Sequence, residues 1–315
     1  MSKKLAIVLS GGGAKGAFQV GVLDALLGKY GVKPQIVVGT STGAIQALGV
    51  AQNDIERLKA FWLGLKGDSD IYKKRFLPFA VLFGANAIYN ARPLRKLLAG
   101  LYDPARLAAS GIGLRLGVVN LQSGNFRTID ENVPGIDNWV YASCAMPVYF
   151  DPLETSDGDQ WVDGGVRDVT PLGAAMRENP TGVLVIRASP PPGSEEDKTF
   201  EGLVPIGLRS VGILQSEVSH NDLENTGLIN DTLLARNRMW TELSEAGNSP
   251  AEVQRLLAPL DATVARYRFV PVRTIEPDKN YSDTLEFDPE KIREAIAAGA
   301  QAVDTHWDEI KDIVT

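Results

Sequence analysis

Three short glycine-bearing stretches carry the residue types that could do chemistry. In Gly39-Thr40-Ser41-Thr42-Gly43 a G-x-S-x-G pentapeptide follows the apolar run Ile36-Val37-Val38 and precedes a segment with helical spacing. A serine on such a strand–turn–helix corner has its hydroxyl held up at the sheet edge as a nucleophile, while the two glycines let the backbone bend and its neighbours approach. In Gly11-Gly12-Gly13-Ala14-Lys15-Gly16 a second glycine turn follows an apolar strand-like run and opens another helical pattern. Backbone N–H groups at Gly11, Gly12 and Gly13 are candidate donors to an oxygen that becomes negative in a transition state. In Asp163-Gly164-Gly165 an acid stands at the end of the strand-like Trp161-Val162. That acid is a plausible catalytic carboxylate, although an Asp-Gly turn is the commoner meaning. A nucleophile, a set of oxyanion donors and a carboxylate are the parts that acyl transfer needs.

The glycine loop also fits G-x-G-x-x-G, which raises a dinucleotide site. That site needs an acidic residue at the end of the second strand to hold the ribose, and here the strand ends in Gly39-Thr40-Ser41. A phosphate loop of the Walker type fails because Lys15 is followed by Gly16.

The elements that must position these groups read as alternating strands and helices. Residues 5–9 form a strand buried on both faces; Ala17, Val20, Leu23, Leu26 and Leu27 follow at helical spacing, and Ile36 opens the next strand, a βαβ unit. Residues 54–65 are an amphipathic helix capped by Asn53 or Asp54. Residues 114–119 and 125–129 pair through a Gln122-Ser123-Gly124 turn; residues 139–150 are helical first and strand-like after Pro147. Residues 182–189 and 267–274 are further strands, residues 200–260 are mostly helical, and Asp288-Pro289-Glu290 caps a last helix with Ile292, Ile296, Val303, Trp307 and Ile310 on one face. The exposed stretch 190–196 resembles a linker, yet the strand at 267–274 needs the same sheet. The expectation is one domain over 1–315, with the motifs in a core of about 5–172 and a mostly helical part of about 200–315 packed on the same sheet.

A net charge of −7 and an isoelectric point near 5.1 oppose a nucleic-acid partner. Cys144 is the only cysteine and there are two histidines, so neither a disulfide nor a metal site is expected, and no cofactor is called for. The apolar run after Lys3-Lys4 is too short for a signal peptide, and no run reaches the length of a transmembrane span. The expected location is the cytoplasm, with peripheral contact to a membrane or lipid aggregate. Residues 72–88 interleave Lys73, Lys74 and Arg75 with Phe76, Leu77, Phe79, Val81, Leu82 and Phe83, a pattern that suits a lipid-docking cover over the site and equally a core segment with solvated Lys and Arg ends.

Taken in order, the three motifs resemble those of the patatin-like phospholipase family: Gly11-Gly12-Gly13-Ala14-Lys15-Gly16 as oxyanion loop, Gly39-Thr40-Ser41-Thr42-Gly43 as nucleophile turn, Asp163-Gly164-Gly165 as acid. The stretch Ala142-Ser143-Cys144-Ala145-Met146-Pro147 and Pro171 are also similar to the family's. The resemblance implies a three-layer α/β/α sandwich with a mainly parallel central sheet. It further implies a Ser41–Asp163 dyad, Asp163 being the general base, acting on carboxylic esters of lipids in the manner of a phospholipase A, lysophospholipase or esterase. Lys15 departs from the arginine usual in the family's loop and keeps the charge without the planar fork. Chain order also allows a Ser-His-Asp triad with His220 or His306, but both lie in helical patterns, His306 beside apolar residues that suit a packed histidine. A lipid-binding protein with a silent site is the other alternative. The natural ester and the oligomeric state are not written in these residues.

Overall fold

The computed structural model describes residues 3–75, 85–191, 193–194 and 199–315. Its centre is an eight-stranded sheet. The strands are β1 (Leu5–Leu9), β2 (Ile36–Thr40), β5 (Gly113–Asn120), β6 (Phe126–Asp130), β7 (Leu153–Glu154), β8 (Gln160–Asp163), β9 (Gly182–Ile186) and β10 (Val272–Ile275), while β3 (Lys73–Lys74) and β4 (Tyr89–Asn90) form a separate two-stranded ribbon. The order is β10-β9-β1-β2-β5-β8-β7, with β6 also on β5. β10, β9, β1, β2 and β5 are mutually parallel, and β6, β7 and β8 add antiparallel pairs.

Side chains along β1 alternate between two cores. Leu5, Ile7 and Leu9 enter the larger one and Ala6 and Val8 the smaller, as the two-residue period of a strand requires. On the larger side lie the helices Ala17–Leu23, Thr42–Ala51, Ile55–Leu63, Arg92–Leu101, Ile136–Cys144 and Pro289–Val314. On the other side lie Leu172–Arg177 and part of the 43-residue helix Leu203–Glu245. Both faces of the sheet are thus covered, which is why its central strands are apolar throughout. The fold is the expected three-layer α/β/α arrangement.

Local signals explain the helix starts. Asp54 accepts the N–H of Arg57, and Asp288 accepts those of Glu290 and Lys291 with Pro289 in the first turn. Three expectations need correction. Residues 148–150 do not extend as a strand; they turn, with Val148 at φ 73°. The last strand begins at Val272 and not at Tyr267. His306 is half-buried rather than packed in the core, and it pairs with Glu309 at 3.0 Å. Of the expected docking segment, residues 76–84 lie outside the described residues. Tyr72 is buried and donates to the Leu285 carbonyl at 2.9 Å, Arg75 pairs with Asp151 at 2.5 Å, and Lys73 and Lys74 are exposed. Among the described residues no helix is long and apolar enough to cross a membrane.

Candidate active site

β5 carries the geometry that brings two distant chain segments together. Its residues 113–117 pair with β2, ending at Thr40 opposite Gly117; its residues 118–120 pair with β8, which arrives antiparallel and ends with Asp163 opposite Val118. Since β6 occupies the other edge of Val118 and Val119, β8 continues along the edge that β2 leaves. Ser41 follows the last residue of β2, and Asp163 is the last residue of β8, so the two meet at this fork.

Ser41 sits at the corner between β2 and the helix Thr42–Ala51 with φ 57° and ψ −128°, a strained conformation for a residue with a side chain. The corner is possible because Gly39 and Gly43 have no Cβ. A Cβ on Gly39 would stand 2.1 Å from the Gly43 carbonyl oxygen, and one on Gly43 would stand 2.3 Å from that of Leu9. Strand, corner and helix are therefore pressed together at contact distance.

The Asp163 carboxyl is only 3% exposed. The Ser41 side chain beside it favours its charged form, as does the N–H of Gly165, which Oδ1 accepts at 2.7 Å. Burial outweighs both and lifts the carboxyl to about 7. Gly164 and Gly165 open a short 3₁₀ turn after the acid, and the Gly165 carbonyl accepts from Gln215 Nε2 at 3.0 Å, which ties the turn to the helix Leu203–Glu245.

Of the three expected donors, Gly11 is already engaged: its N–H binds the Val169 carbonyl at 2.9 Å. Gly12 and Gly13 are half-buried and line the cavity, and their N–H groups meet no acceptor among the described residues. Gly13 has φ +60°, and a Cβ there would lie 2.0 Å from the Thr284 carbonyl, whose oxygen takes the next N–H, that of Ala14, at 2.9 Å. Lys15 lines the same cavity, and the Gly16 carbonyl accepts from Gln46 Nε2 at 3.2 Å.

These groups surround a cavity of about 280 Å³ whose apolar wall includes Ile45, Phe61, Trp62, Met146, Phe150 and Phe287. Neither histidine lines it. His220 pairs with Glu224 at 3.0 Å on its own helix, as His306 does with Glu309.

The end of the helix Ile136–Cys144 plays a part that motif reading missed. Ser143 Oγ, fully buried, donates to the Gly117 carbonyl at 2.6 Å and accepts the Ser41 N–H at 2.9 Å. Cys144 Sγ donates to the Ser41 carbonyl at 3.1 Å, and the Ala145 carbonyl accepts the Asp163 N–H at 3.0 Å. Three successive residues thus grip both the serine corner and the acid. The only signal in the chain was the run Ala142–Pro147 itself, which names no partner. Gln215 and Ser219, the latter 2.7 Å from Thr170 Oγ1, had no signal at all.

Comparison with known proteins bears on this arrangement. Searched against curated proteins, the chain finds no match. The crystal structure of VipD from Legionella pneumophila aligns with 98% of this chain and 67% of its own, at 16% identity and a TM-score of 0.49. The family profile described as patatin-like phospholipase matches residues 7–176, a span that contains all three glycine motifs and more than half of the sequence. The chain belongs to the patatin-like phospholipase family.

Proposed function

We propose that the protein, a lipid acyl hydrolase by family, cleaves carboxylic esters of lipids through a Ser41–Asp163 dyad, in the manner of a phospholipase A, lysophospholipase or esterase. Ser41 Oγ attacks the ester carbonyl carbon while Asp163 takes the hydroxyl proton, and the N–H groups of Gly12 and Gly13, with that of Thr42 after the nucleophile, bind the oxyanion. Collapse of the tetrahedral adduct expels the alcohol, which takes the proton back from Asp163, and leaves an acyl-serine. Water, activated by the same carboxylate, then releases the fatty acid. Lys15 lends positive charge at the mouth of the cavity.

The observation that carries this reading is a buried carboxyl beside a strained serine, both lining the same apolar cavity. An ordinary aspartate, near 3.8, is a poor base at neutral pH; one lifted to about 7 is matched to the task. The triad alternative lacks support because neither histidine lines the cavity and each pairs with a glutamate on its own helix. The test is labelling by a fluorophosphonate probe together with hydrolysis of a p-nitrophenyl ester. Ser41→Ala is expected to lose both, and Asp163→Asn to lose turnover while staying folded. Parent-like hydrolysis by either variant would overturn the proposal.

A further inference from the structure

The helix Leu203–Glu245 has Ser219 as its one buried residue. Its inner side reaches the site through Gln215 and Ser219, with Val204 and Leu208 packed on the main core. Its outer side, over the first four turns, is apolar and open: Leu203 is 87% exposed, Leu214 67%, Ile213 53% and Ile206 50%, and Val218 continues the row. Offsets of three, ten, eleven and fifteen residues from Leu203 bring all five onto one broad helical face. Residues 203–216 contain a single charged side chain, Arg209, whereas residues 217–245 carry Glu217, Asp222, Glu224, Asp231, Arg236, Arg238, Glu242 and Glu245. The helix changes character where it passes the site.

This row is continuous with the mouth of the cavity. Ile213 both belongs to it and lines the cavity. Exposed Val148 precedes Tyr149, whose hydroxyl donates to the Val204 carbonyl at 3.4 Å, and exposed Val166 follows Gly165, the partner of Gln215. Side chains from three segments thus make one apolar rim, of a kind that soluble surfaces seldom present without a partner.

We propose that this rim, led by Leu203, Ile206, Ile213 and Leu214, is the surface by which the protein docks on a neutral or zwitterionic lipid interface. The inference rests on the lipid hydrolase reading, because an ester held in a lipid aggregate must enter the cavity from the side that meets the aggregate. Charge decides the kind of surface. With one cation in fourteen residues, on a chain of net charge −7, attraction to anionic headgroups cannot be the driving term, and burial of apolar side chains is what remains.

The experiment is cosedimentation with phosphatidylcholine vesicles, done in a Ser41→Ala background so that the lipid stays intact, with the double substitution Leu203→Gln/Leu214→Gln against its parent. Glutamine keeps helix propensity. The expected result is a partition coefficient lowered by at least about tenfold, with weak dependence on salt in the parent, an unchanged melting temperature, and unchanged hydrolysis of a water-soluble ester when Ser41 is present. Leu203→Phe/Leu214→Phe should bind as the parent does. Parent-like binding by the glutamine variant would overturn the proposal. So would binding that requires anionic lipid and vanishes in salt, or a parent dimer that the glutamines convert to monomer without any vesicle binding. A parent that docks through the two leucines but hydrolyses no ester would instead sink the hydrolase reading and leave the docking surface standing.

Discussion

Replacing Asp163 by asparagine should abolish turnover and, at neutral and alkaline pH, make the protein more stable. The sign follows from linkage. In the unfolded chain the carboxyl ionises near 3.8, whereas in the folded protein burial holds it at about 7. The folded state therefore retains a proton that the unfolded state has lost, and stability that is fully present below pH 3.8 drains away as the pH rises to about 7 and then levels off. A separation of about three units corresponds to roughly 4 kcal/mol as an upper bound, of which some 2 to 3 kcal/mol is lost between pH 5 and pH 8. Asparagine carries no charge to bury, and its carbonyl can still accept the Gly165 N–H that now lies 2.7 Å from Oδ1.

The assay is urea or thermal unfolding of parent and Asp163→Asn at pH 5, 6, 7 and 8. The stability difference in favour of the variant should widen across that range and flatten beyond it. Asp168, which burial and the neighbouring Asp222 raise to about 6 against the pull of Arg177, titrates in both proteins and cancels in the difference. A difference that stays flat from pH 5 to pH 8, or a variant less stable than the parent at pH 8, would refute the claim that Asp163 is held at a cost in its charged form. The base role would then lose its physical foundation.

The rate of ester hydrolysis by the parent should rise with pH through a midpoint near 7, read from a pH–kcat profile, because only the ionised carboxylate accepts the serine proton. Ser143→Ala leaves the buried Ser41 N–H and Gly117 carbonyl without their partner, so unfolding should show a loss of about 1–3 kcal/mol and kinetics a fall in kcat larger than any change in KM. Gly43→Ala sets a methyl carbon against the Leu9 carbonyl and should yield insoluble or inactive protein, checked by expression and circular dichroism. Cys144, buried and with its thiol pushed well above the usual range by that burial, should resist a thiol reagent in the native protein and react once it is unfolded.

Much of the frame was legible because it depends on short-range patterns. A short all-apolar run such as Leu5–Leu9, broken at once by glycines, suits a strand covered on both faces, and Asp288-Pro289 or Asp54 announce helices through backbone donors a few residues away. The serine corner was legible because its two glycines flank it in sequence. What escaped was set by partners far along the chain. The N–H of Gly11 is claimed by Val169, more than 150 residues on, which no local pattern reveals. Ser143 looks like any helical serine until Gly117 and Ser41 stand beside it. His306 was read from its apolar neighbours, but those alternate with outward positions on an amphipathic helix, and the ring points outward to Glu309.

Neither histidine lines the cavity, and the fork in the sheet offers the proposed dyad a way to work without one. In a triad the imidazole is mobile enough to carry a proton and therefore needs a third group to orient it. In the proposed dyad the base would be fixed at its backbone: Asp163 ends β8 opposite Val118, its N–H is bonded to Ala145, and its carboxylate is bonded to Gly165. The serine is fixed in the same way by β2, by the strained corner and by Ser143. Two strands that end one residue apart along β5 therefore do the orienting that a third side chain would otherwise do. In that reading, burial supplies the basicity that an imidazole would otherwise provide, since a carboxyl this deeply enclosed titrates near neutrality. The two requirements are linked: the close packing that positions the acid is also what removes its water.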